Sequence, residues 1–121
     1  MPKKPDKDRL RLLQMRDDAE QARRFATGRA RADVENDEIL QLALVKTIET
    51  IGEAASHVSE ETRALAPNID WGKIVGMRNE LVHAYWRIDY DVLWDVITDR
   101  LPPLVQELNR LIEAKYGAQD G

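Results

Sequence analysis

The sequence predicts an all-α protein, an up-and-down bundle of four to five helices. Three observations carry this. Apolar residues recur at steps of three and four through several long segments, the period of a helix with one buried face. The 5 prolines and 6 glycines are few and fall mostly between those segments. Strictly alternating apolar and polar residues, the mark of a strand, are nowhere evident. The 121 residues are one domain's worth, read here as a single unit over 1–121 with a flexible tail at 1–6 and a disordered end at 117–121. A core of this size gains further burial when two copies pair.

Asp6 caps the first helix, which runs through KDRLRLLQMRDDAEQARRFAT. Its apolar stripe is read as Leu10, Leu13, Ala22, Phe25 and Ala26, and Gly28 ends it. GRARADVEND follows as a polar connector. A second helix covers 38–58, burying Leu40, Ala43, Leu44, Ile48, Ile51 and Ala55. Gly52 sits inside it, at a cost of about 1 kcal/mol against alanine, which implies close approach of another helix. Ser59 caps a short helix, EETRALA, that Pro67 stops. Thr62 stands where a capping box needs Glu or Gln, so the box is incomplete. Asp70 caps a helix over 71–86, and Asp89 caps the last one, over 90–115. Pro102 and Pro103 predict a bend or break within it. Trp94 and Leu101 are assigned to the core or to a dimer contact.

Eighteen Lys and Arg against 22 Asp and Glu give a formal charge of -4. Nothing in that total advertises a nucleic-acid binder, although a phosphate responds to the local field. The chain has no cysteine, which removes disulfides and thiolate zinc sites and suits a reducing cytoplasm, the expected location. MPKKPDKD has no apolar stretch after its lysines, so no secretory signal is expected. No apolar run reaches the roughly 18–20 residues that span a bilayer, and no membrane partner is expected.

Chemistry concentrates in RNELVHAY, 78–85. At about 100° per residue, Ile74, Met77, Leu81, Ala84 and Ile88 form the core stripe of the fourth helix. Arg78, Val82 and Tyr85 lie along one flank of it, and Asn79, His83 and Trp86 share another face. A tryptophan away from the core stripe points to an interface or a lined groove. On one straight helix Arg78 and His83 diverge by about 140°. Either the helix loosens near Ala84, or a second copy supplies part of the site.

Two histidines near neutral pKa can act as general base and general acid. Arginine offers a permanent forked cation to a phosphate, and asparagine can orient an imidazole. The set fits metal-independent RNA cleavage, in which a ribose 2′-OH is activated, attacks the adjacent phosphate, and the leaving oxygen is protonated. Only two histidines are present, His57 and His83, without His-Glu-x-x-His spacing, so no metal site is assigned.

MRNELVHAY resembles the Arg-polar-x3-His-x-Tyr motif of the HEPN superfamily in its HepT branch. IETIGEAA, IDWGKIVGMRNELVHAYWRID and VLWDVITDRLPPLVQEL resemble further family segments, in order and at the right spacing. The resemblance spans about 9–112. It implies a helical bundle that forms a homodimer with the motifs facing across a cleft. It implies the toxin of a toxin–antitoxin pair, an endoribonuclease acting on tRNA or mRNA, with no DNA partner. Carried over by position, Arg78 and His83 are catalytic and Asn79 supports them. Tyr85 matches the tyrosine that the cognate MntA-like nucleotidyltransferase antitoxin modifies with AMP. Cleavage then needs no cofactor, and ATP and magnesium belong to the antitoxin's reaction.

Other residues divide between roles. Glu53 either pairs with the motif arginine or is a surface carboxylate, and Trp86 either lines the site or an interface. Arg23 and Arg24 are assigned to a solvated helix end, where cations suit the dipole. Arg29 and Arg31 are candidates for contact with RNA or an acidic antitoxin surface. Lys3, Lys4 and Lys7 belong to a solubilising tail. The competing reading is a non-catalytic HEPN module that binds nucleotide or docks the partner nucleotidyltransferase, and a weaker one is a purely structural helical dimer.

Overall fold

A computed structural model describes residues 6–117. Four long helical rods dominate it: α1 (Asp8–Ala26), α3 (Glu38–Ser56), α5 (Trp71–Leu81) and a composite last rod. Two short helices, α2 (Arg31–Asn36) and α4 (Glu60–Ala64), bridge the first three. The last rod is α6 (Tyr90–Asp95), a π-helical turn (Val96–Arg100) and α7 (Leu101–Tyr116). α1 packs on α3 and α7, and α3 packs on α5. The fold is all-α, as the apolar periodicity requires.

The core is one apolar cluster centred on Leu12, Met15, Leu44, Ile48, Ile51, Met77, Leu81, Leu93, Leu101, Leu108 and Ile112. The stripe of α1 differs from the sequence reading. Leu12, Met15, Ala19, Ala22 and Ala26 are buried, whereas Leu10 and Phe25 are exposed. Two offset apolar series run along this helix, and the one that meets both α3 and α7 wins. α3 behaves as expected except that Ala43 is only half-buried.

The side chains of Ser59, Asp70 and Asp89 each accept a backbone N–H, from Thr62, Lys73 and Val92. The carboxylate missing from the capping box of α4 arrives from another helix. Asp8 Oδ1 accepts the Ser59 N–H at 3.1 Å, and Oδ2 accepts the Ser59 and Thr62 hydroxyls. Lys115 donates to Thr62 Oγ1 at 2.6 Å and lies 3.7 Å from Asp8 Oδ2. The start of α1, the start of α4 and the end of α7 are thereby tied together. Asp6, expected to cap α1 and assigned to a flexible tail, lies one residue before the N-cap, which is Lys7; it accepts from the Asp8 N–H and the Tyr116 hydroxyl. Residues 1–5 and 118–121 of the predicted ends lie outside the described residues, as do Lys3 and Lys4.

Two expectations need correction, and one takes a specific form. The GRARADVEND connector contains α2, held by buried Val34 and by the Asp33 carboxylate on the Ala30 N–H. The irregularity expected at the two prolines is present, as a π turn that interrupts the α-helix just before them and leaves them in the first turn of α7. The π turn just before them widens the helix, with the Leu101 N–H reaching back to Val96 O, so the rings fit without ending it. The second correction concerns the motif: α5 stops at Leu81, five residues early. β1 (Val82–His83) and β2 (Arg87–Ile88) form a small antiparallel hairpin, with Val82 opposite Ile88 and His83 opposite Arg87. The Asp89 N–H closes onto Leu81 O at 2.7 Å. Among the described residues, no helix is long and apolar enough to cross a membrane.

Candidate active site

α5 crosses α3 in close contact at Gly52. A Cβ there would stand 3.1 Å from Val75 O and 3.2 Å from Ile74 O, so only glycine allows this approach without displacement. The two helices run antiparallel, since Gly52 meets Val75 while Glu49 meets Arg78. One turn toward the start of α3 therefore meets one turn toward the end of α5. That register sets Glu49 against Arg78, with Oε2 3.7 Å from Nε. Glu53, on the other side of the crossing, pairs instead with His57 at 3.1 Å and does not reach the motif arginine. Glu49 is the carboxylate the sequence reading missed. Its signal was Gly52, which locates the crossing and so the register.

Beyond Leu81 the helical arithmetic no longer applies. Val82 is buried, not on a flank with Arg78, and Ala84 is exposed, not in the core. Asn79 and His83 are not helical neighbours, because the helix ends between them. Both are exposed, and neither side chain has a hydrogen-bond partner among the described residues. The turn Ala84–Trp86 places Tyr85 and Trp86 in succession at φ +59. Two successive positive φ values suit a tight hairpin, and the usual residues there are Asn, Asp or Gly. With bulky aromatics instead, the conformation costs of order 1 kcal/mol or more per residue. The strain displays Tyr85, 99% exposed, at the tip, and turns Trp86 back so that its ring centroid is 5.8 Å from the Arg78 guanidinium carbon.

The structure thus brings together Arg78, Glu49 and Trp86, beside a hairpin that presents His83 and Tyr85. It engages Arg29 and Arg31 elsewhere. Arg29 pairs with Asp37, whose carboxylate is held below its ordinary pKa first by the Leu40 N–H and then by Arg29. Arg31 bridges Asp91 (2.5 Å) and Glu35 (3.0 Å), which raise its pKa further. Both arginines tie α2 to its neighbours. Among the described residues, no three histidine or carboxylate side chains come together as a metal-ligand set.

An all-α bundle in which α5 and the hairpin after it carry an Arg-x4-His-x-Tyr run is consistent with a HEPN-type domain. The chain belongs to the HepT-like ribonuclease family, whose model, described as "Ribonuclease HepT-like", matches residues 15–111. Among curated relatives, a Methanocaldococcus jannaschii protein with a provisional RNase name is 34% identical over 73 residues, 60% of this chain and 67% of its own. A protein of Caldanaerobacter subterraneus subsp. tengcongensis, also provisionally named an RNase, is 31% identical over 81 residues, covering 67% and 72%. The Thermococcus cleftensis protein named "Probable ribonuclease HepT" is 33% identical over 75 residues, covering 62% and 68%. No solved structure matches the chain.

Proposed function

We propose that this protein is a metal-independent endoribonuclease, the toxin of a toxin–antitoxin pair, acting as a homodimer. The observation that carries the reading is the braced, half-exposed Arg78 next to a strained hairpin that displays His83. The family membership and the RNase names of the relatives support the same class of activity.

Each chain offers one motif histidine, whereas cleavage needs a base and an acid. A second copy, its hairpin facing the first, supplies the other. One His83 takes the proton from a ribose 2′-OH. The oxygen attacks the neighbouring phosphorus, and the bond from phosphorus to the 5′ oxygen breaks. The second His83 gives its proton to that leaving oxygen. Products are a 2′,3′-cyclic phosphate and a 5′-hydroxyl. Arg78 meets the charge on the non-bridging oxygens, and Asn79, exposed one residue on, supports the site by hydrogen bonding. The cleavage itself calls on no cofactor.

Tyr85 fits the role of the switch. Its hydroxyl is fully accessible to a second enzyme, a nucleotidyltransferase antitoxin using ATP and magnesium. Attack of that oxygen on the α-phosphate of ATP releases pyrophosphate and leaves AMP on the tyrosine. The new phosphate stands next to Trp86 and the arginine it covers, where it competes with RNA.

Antitoxin-free protein is expected to cut single-stranded RNA in the presence of a chelator. His83→Ala and Arg78→Ala should each lower the rate at least about 100-fold with unchanged circular dichroism. Intact-mass analysis after co-expression with the nucleotidyltransferase should show AMP on the Tyr85 peptide. Absence of cutting, with retained binding to that enzyme, would favour the non-catalytic docking module.

A further inference from the structure

A groove of about 580 Å³ lies between the end of α1 and the π turn, lined by Arg23, Arg24, Arg29, Trp94, Thr98 and Pro102 among others. We propose that it binds a single-stranded segment of RNA outside the scissile bond, with phosphodiesters on Arg23 and Arg24 and a base against Trp94. This rests on the ribonuclease reading above.

Arg16, Arg29, Arg31, Arg78, Arg100 and Arg110 each face a carboxylate. Arg23 and Arg24 are exposed and face none among the described residues. In a chain of charge -4, two adjacent uncompensated guanidiniums are a local reversal of sign. A helix C-terminus explains a cation there but not a groove beside it. One carboxylate, Glu20, shares the lining, so the site keeps a positive balance.

Trp94 supplies a second, chemically different feature. It is half-buried in the groove wall, and it sits two residues before the π turn that also sets Ile97 and Thr98 along the lining. Aromatic faces beside arginines are how single-stranded nucleic acid is held without regard to sequence. Position adds a third argument. α1 ends, α3 begins, α5 ends in its hairpin and α6 begins at one end of the bundle, clasped by the Arg29–Asp37 and Arg31–Asp91 pairs. A cavity lined by Glu35, Gln41, Trp86 and Tyr90 lies between α2 and the hairpin. The groove therefore shares its end of the molecule with Trp86, where flanking nucleotides of a bound strand emerge.

The test uses the full chain with His83→Ala to stop cleavage, and a short fluorescent oligoribonucleotide as probe. Arg23→Glu with Arg24→Glu should weaken binding about tenfold or more and reduce the salt slope by about 1.4, since two phosphates are no longer neutralised. Trp94→Leu should weaken binding about fivefold with the slope unchanged. Circular dichroism checks each fold, and the exposed arginine pair decides if the tryptophan variant unfolds. Unchanged affinity and slope in the arginine variant overturn the proposal. So does a variant that loses a protein partner but keeps RNA. Cleavage by the active chain is scored separately on a dinucleotide too short to reach the groove. Lost cleavage there with RNA binding still dependent on Arg23 and Arg24 would sink the nuclease reading and leave the groove standing.

Discussion

The Arg78 guanidinium carbon lies 5.8 Å from the centre of the Trp86 ring, while Glu49 stands 3.7 Å from its Nε. The cation that should meet the RNA phosphate is thus engaged twice before substrate arrives. Both partners are partly open to solvent, so each holds it by about 1 kcal/mol or less.

Removing one of these competitors should favour the phosphate. Glu49→Gln is expected to lower KM for single-stranded RNA by roughly twofold to fivefold, the equivalent of up to about 1 kcal/mol, with kcat little changed. Steady-state kinetics at low salt would show it. A KM equal to wild type would mean that Glu49 does not compete with RNA for Arg78.

The hairpin tip should carry measurable strain. Tyr85 has φ +59 and is almost wholly exposed, so its side chain gives little back to the fold. Tyr85→Gly relieves about 1–2 kcal/mol of left-handed strain and loses part of that to the freer unfolded chain. A net gain of about 0.5–1 kcal/mol in urea denaturation is expected. A loss would show that Tyr85 contributes contacts to the protomer.

Gly52→Ala tests the helix crossing. Alanine gains about 1 kcal/mol of helix propensity, but its Cβ meets the backbone carbonyls of Ile74 and Val75, which cannot turn aside. A net loss of about 1–3 kcal/mol is expected, read as a fall in Tm. A raised Tm would contradict the crossing.

Acid should unlatch the far end of the bundle through Asp8. Burial pushes its pKa up, but hydrogen bonds from the Ser59 and Thr62 hydroxyls and the Ser59 N–H, with Lys115 nearby, outweigh this and leave it lowered. A lowered carboxylate pKa stabilises the fold above the unfolded value of about 3.9, and that contribution is lost as pH falls through the folded value. Urea midpoints from neutral pH downward should therefore drop below about pH 4 in the wild type. In Asp8→Asn, that component of the drop should be missing.

Local chemistry made much of this legible. Ser59, Asp70 and Asp89 announce three helix starts because a side-chain oxygen and a backbone N–H a few residues apart suffice to make a cap. Gly52 announced a close approach because its cost demands one. The motif itself was legible as a set of residue types, but its geometry was not. Leu81, Ala84 and Ile88 keep a three-four spacing that imitates helix, while the β-branched Val82 and Ile88, which face each other in the hairpin, favour extended backbone. Burial of Val82 and the closure of the Asp89 N–H on Leu81 O decided between them.

By itself, then, the sequence determined the long helices, the caps at Ser59, Asp70 and Asp89, and the identities of Arg78, His83 and Tyr85, since each follows from neighbours along the chain. Tertiary structure alone decided that Glu49 and not Glu53 meets Arg78, that Asp8 completes a cap on α4, and that Trp86 folds back over the arginine. The reason is physical. Those partners are chosen by the register of one helix on another and by a turn held against its own strain, and both depend on how the core closes.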